Sequence, residues 1–105
     1  MGVGMQIVYL GFAGSRALEG EAGAQLVRLE RYSTILSAVR LAIEAMGMIG
    51  PQTMYDARLD LLLLSRDDRY RPVARCSHAN AQEAVRRAFD AAEHELQTIA
   101  VGVRR

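Results

Sequence analysis

Within the segment from about Met54 to Leu64 the chain changes polarity at every step from Tyr55 to Leu61: Tyr55, Ala57, Leu59, Leu61 and Leu63 fall on one side of an extended backbone, Asp56, Arg58 and Asp60 on the other. Successive side chains of a β-strand point to opposite faces, so this stretch predicts a strand with one face on a core and the other toward water. Val39, Leu41 and Ile43, alternating with Arg40, Ala42 and Glu44, predict a second such strand. Between the two, MGMIGPQ breaks the pattern with two glycines and Pro51 and reads as a loop or a flexible hairpin connection. After a turn at Ser65-Arg66-Asp67-Asp68, a further strand from about Tyr70 to Ser77 pairs back. In it Tyr70, Pro72, Ala74 and Cys76 alternate with Arg71, Val73 and Arg75, and Pro72, which has no N–H to donate, marks an edge position or a bulge.

The outer segments change period. Gln6–Leu10 is apolar and β-branched and stops at Gly11, which reads as a first strand; the preceding MGVG reads as a start-site extension or tag remnant, with Met5 a candidate natural start. From Ser15, a suitable N-cap, Leu18, Ala22, Leu26, Leu29 and Tyr32 recur at helical spacing to about Ser33, and Gly20 and Gly23 weaken the first half of that helix by roughly 1 kcal/mol each. Asn80, with Glu83 three residues on, opens a second helix carrying Val85, Ala88, Phe89, Ala92, Leu96 and Ile99 on one stripe to about Val101. The order β-α-β-β-β-α is an α+β arrangement: a four-stranded sheet with both helices on its apolar face. A chain of 105 residues holds one such domain, residues 1–105, with 102–105 a mobile tail.

Half of the residues are hydrophobic and 24% are charged, an ordinary globular balance. The longest apolar run, Leu61–Leu64, is far short of a membrane span, so neither membrane insertion nor secretion is expected. The single cysteine, Cys76, forms no internal disulfide and, with only His78 and His94, offers no metal-ligand spacing; a reducing cytoplasm fits best and no cofactor is expected. Cys76 and His78 share strand parity, yet no acid or oxyanion motif surrounds them, and Cys76 reads as a small core hydrophobe rather than a nucleophile. Gly11-Phe12-Ala13-Gly14-Ser15 matches neither phosphate-binding fingerprint and reads as a tight strand-to-helix connection. The adjacent carboxylates Asp67 and Asp68 solvate a turn. No catalytic constellation emerges, and the chain is expected to act by binding.

The charged residues leave the binding partner open. Net charge is +1, so any basic footprint for a polyanion must be local. All thirteen basic residues are arginine, which suits phosphate recognition through the guanidinium fork and is accounted for equally by a GC-rich coding sequence. The densest cluster is Arg66, Arg69, Arg71 and Arg75 with Tyr70; Asp56, Asp60, Asp67 and Asp68 stand near it, so a phosphate grip and a plain solvated sheet face are both open. Arg86 and Arg87 in the second helix and Arg104 and Arg105 at the tail add smaller patches.

Met5-Gln6-Ile7 opening the first strand, Gly11 closing it, Leu29-Glu30-Arg31-Tyr32 ending the first helix, and Ala84-Val85, Asp90 and Leu96 in the second carry a resemblance. Over about Met5 to Ile99 the chain resembles the ribosome hibernation-promoting factors and ribosome-associated inhibitors, also called sigma-54 modulation proteins, in their short form. The resemblance implies a fold similar to double-stranded RNA-binding domains. It also implies occupation of the small ribosomal subunit through basic side chains on rRNA phosphates, and so silencing of translation in stress. By position Arg28 and Arg31 match basic sites of that family. The chain departs where the family's second helix carries lysines and arginines: here stand Ala91, Glu93, His94, Glu95, Gln97 and Thr98. Two readings therefore follow: an rRNA binder with relocated electrostatics, or a divergent fold-mate that binds a protein or itself, including as a homodimer.

Overall fold

The computed structural model describes residues 2–50, 52–64 and 69–103, the side chains of residues 48, 49, 73, 74 and 103 excepted. Strand β1 (Gly4–Leu10) leads into helix α1 (Arg16–Leu29) and a 3-10 turn (Glu30–Tyr32), then β2 (Leu36–Ile49), β3 (Gln52–Leu63), β4 (Arg71–His78) and helix α2 (Ala81–Val103). The expected order and the α+β class are both present. The sheet runs β1-β2-β3-β4, with β1 parallel to β2 and the other pairs antiparallel.

Both helices cover one face. Val39, Leu41, Ile43, Ala57, Leu59 and Leu61, the apolar positions of the two alternating strands, are wholly buried against Leu29 of α1 and Val85, Ala88, Phe89, Ala92 and Leu96 of α2. Val3 joins this core, and its N–H donates to Glu30 Oε2 at 2.9 Å, which ties the entry of β1 to the end of α1. The end of β1 is fixed by aromatic packing: Phe12 meets Tyr9 and Tyr55 edge-on, with ring centroids 5.5 and 5.4 Å apart. Gly14 lies in the left-handed region at φ 77°, and a Cβ there would stand 2.5 Å from the Tyr9 ring, so the connection into α1 closes only around glycine.

The helix caps follow the sequence. Ser15 Oγ accepts from the Leu18 N–H at 3.1 Å, and Asn80 Oδ1 accepts from the Glu83 N–H at 3.1 Å. Glu83 does not complete the box; the Asn80 N–H donates instead to His78 Nδ1 at 2.9 Å, and Glu83 pairs with arginines of its own helix.

The structure departs from the sequence reading at β2, at the end of the first helix and within β4, each for a local reason. The segment expected to be a loop after Ile43 continues as β2 to Ile49, because a bulge between Ala45 and Met48, with Gly47 at φ 85°, absorbs the break without ending the ladder. The first helix tightens to a 3-10 turn at Glu30 and does not run α-helical to Ser33. In β4 a register shift separates the pair Leu59–Ala74 from Asp60–Pro72, the bulge that proline signalled, and it inverts the strand's parity midway. Arg75 accordingly stands on the uncovered face opposite Arg58, whereas Arg71 is opposite the core residue Leu61. The alternation expected through the whole of β4 is thereby corrected.

Candidate nucleic-acid interface

The expected arginines fall into two groups, one on the helix layer and one on the hairpin of β3 and β4 and its turn. Arg28, Arg31, Arg86 and Arg87 lie on the helix layer, and each faces a carboxylate. Arg28 Nη1 donates to Asp90 Oδ1 at 2.9 Å and to Gln25 Oε1 at 2.6 Å, and its Nη2 donates to Glu93. Arg31 reaches Glu93 at 3.8 Å and sets its guanidinium 5.6 Å from the centre of the Tyr32 ring. Arg86 bridges Glu21 of α1 at 3.1 Å and Glu83 at 3.3 Å, and Arg87 holds the other Glu83 oxygen at 3.3 Å. The hydrogen bonds to Asp90 and Glu93 push the Arg28 pKa up, the bond to Glu21 does the same for Arg86, and the Glu21 carboxyl is held below its usual range by Arg86 and Gln25. These residues form a seam of alternating charge that joins α1 to α2.

The second group belongs to the sheet. Arg75 turns its Nε onto Asp56, with 3.1 and 3.0 Å to the two oxygens, and Ser77 Oγ adds a bond of 3.0 Å to the same carboxylate. Asp56 is wholly buried although strand parity sends it to the uncovered face; the side chains of Arg75 and Ser77 bond to it there. Arg69 and Arg71 are exposed at the start of β4, and Arg66 lies outside the described residues, as do Arg104 and Arg105. Among the described residues Arg71 and Arg75 thus stand on opposite sides of the sheet.

Strand pairing adds two arginines that the sequence pattern places only on a polar strand face. Arg58 is directly opposite Arg75, and Arg40, one row along, stacks under the Tyr70 ring with its guanidinium carbon 4.0 Å from the centroid. The register aligns Arg40 with Asp60 and Arg58 with Ala42, so the uncovered face carries rows of mixed charge. Among the described residues Arg16, Arg58 and Arg71 are exposed and make no ion pair. Like charges directly opposite across two strands are unfavourable unless an anion offsets them, and only Arg75 of the Arg58–Arg75 pair has one.

Cys76 is half-buried, its thiol against the Ser77 carbonyl oxygen at 3.8 Å, and His78 Nδ1 is engaged at the start of α2. Among the described residues no group of three or more His, Cys, Asp or Glu side chains is placed to hold a metal ion, and no helix is long and apolar enough to cross a membrane. A groove of about 610 Å³ opens where the 3-10 turn meets the end of α2, lined by Arg31, Tyr32, Ile35, Gln97 and Val101.

The architecture matches solved structures along nearly its whole length. The N-terminal domain of protein Y from Thermus thermophilus superposes with a TM-score of 0.72 at 17% identity, covering 94% of this chain and 99% of that one. A ribosomal subunit interface protein from Coxiella burnetii superposes with a TM-score of 0.68 at 15% identity, again over 94% and 99% of the two chains. No protein-family model matches the sequence, and no curated protein does.

Proposed function

We propose that this chain is a ribosome-associated factor of the cytoplasm that binds rRNA of the small subunit through arginine side chains and silences translation by occupancy rather than by catalysis, under stress. The observation that carries the reading is the likeness of fold over 94% of the chain to a protein Y domain and to a protein named for the ribosomal subunit interface. The sequence resemblance at Leu29-Glu30-Arg31-Tyr32 points the same way.

The ion pairs set the terms on which such binding occurs. Exposed salt bridges contribute about 0–1 kcal/mol each, so a phosphate displaces a carboxylate from a guanidinium at little direct cost. The displaced Asp90 or Glu93 then faces the polyanion, and that repulsion selects against Arg28. Arg31, with 68% of its side chain exposed and its one carboxylate at 3.8 Å, and the unpaired Arg58 and Arg71 are the better phosphate contacts. Co-sedimentation with small ribosomal subunits across a salt series tests this. Each phosphate contact predicts a loss of roughly three- to four-fold in affinity between 50 and 200 mM salt, and Arg31→Glu or Arg71→Glu should flatten the slope by about one contact. Absent or salt-independent sedimentation refutes the proposal.

A further inference from the structure

The two outer strands of the sheet are built differently. β4 ends its ladder with Pro72, a register shift and the exposed Arg71 and Arg75, the devices that keep a sheet edge from pairing with another chain. β1 has none of them. Gly4–Leu10 reads GMQIVYL, without a charge or a proline, and it pairs with β2 over all seven residues with no shift. Among the described residues no segment pairs with its outer edge.

We propose that this edge is a self-association surface, on which the β1 strands of two copies pair antiparallel about a two-fold axis at Ile7 and join two four-stranded sheets into one of eight. A second copy is the occupant the strand itself selects. Pairing about Ile7 sets Met5 opposite the partner's Tyr9, Gln6 opposite its Val8, and Gly4 opposite its Leu10, so each side chain keeps its own face of the sheet. Met5, Ile7 and Tyr9, half-buried at the border of the core, then extend it across the junction, and Leu10, 37% exposed, lies over a residue with no side chain. Identical uncharged strands meet without repulsion, whereas β4 paired with itself would gather Arg71 and Arg75 of both copies. One edge of seven residues spans about 23 Å, which makes a small interface and a dissociation constant on the order of 10–100 μM.

Sedimentation velocity over a concentration range spanning that constant should show the mass rising from monomer toward dimer. Gln6→Lys combined with Val8→Lys sets lysines opposite one another across the junction on the solvent face and should hold the chain monomeric throughout, with its thermal unfolding still cooperative; Arg71→Glu at the other edge should leave the dimer unchanged. Gln6→Cys combined with Val8→Cys in a Cys76→Ser background should cross-link into a covalent dimer on mild oxidation, which reports the register even if the lysine variant fails to fold. A wild-type chain that stays monomeric throughout overturns the proposal, as does a dimer that survives the lysine pair or one that the cysteine pair does not trap.

Discussion

Asp56 is the charged side chain that the described residues bury completely, and Arg75 and Ser77 are its partners. Removing Arg75 leaves a carboxylate that has lost water and its counter-charge together, so Arg75→Ala should destabilise the fold by about 1–3 kcal/mol in urea unfolding, with little dependence on salt. Arg28 makes more contacts but is 43% exposed, and Arg28→Ala should cost no more than about 1 kcal/mol, most of it lost at high salt. Glu21 adds a pH dependence. Its folded pKa lies below the ordinary 4.5 because Arg86 and Gln25 bond to the ionised form, so its contribution is present above that value and is lost as pH falls through the folded pKa. Melting temperature should therefore decline below about pH 4.5, and Glu21→Gln should flatten the decline. Tyr9 moves the other way: burial and the nearby Glu19 raise its pKa, so its phenol should ionise above the ordinary value of 10.0 in an alkaline absorbance titration, a component that Tyr9→Phe removes.

At the scale of elements, glycine has two opposite roles in adjoining segments. A methyl group added at Gly20 or Gly23 of α1 would meet nothing within 4 Å, so alanine at either should stabilise the chain by roughly 0.5–1 kcal/mol. Gly14→Ala meets the Tyr9 ring and a positive φ, and should lower the melting temperature where the helix substitutions raise it. The elements were legible in the sequence because each advertises itself locally: period two in β2 and β3, Ser15 and Asn80 as caps, Pro72 as a bulge. What escaped were features set by partners. The bulge at Gly47 keeps β2 running through a segment rich in breakers, and the shift in β4 turns Arg75 away from the side of the sheet that Arg71 occupies. Neither follows from a single strand read alone.

At the scale of the molecule, the one-sided sheet decides how charge is distributed. Two helices on one face set the described arginines of α1 and α2 apart from Arg58 and Arg75, which stand on the uncovered face, so in a chain with nearly balanced charge these guanidinium groups are divided between the two sides of the sheet. Sequence could name these arginines; it could not show that the helix members are clamped to Glu21, Glu83, Asp90 and Glu93, contacts that depend on how α1 and α2 lie together. The sheet order, identical to the chain order, has a kinetic consequence. β2, β3 and β4 are joined by short connections and can zip together locally, whereas β1 must wait until the intervening 25 residues have formed the crossover that returns it alongside β2. Its amides should be the first of the sheet to exchange with deuterated solvent, and substitutions in β1 should speed unfolding while leaving the folding rate nearly unchanged.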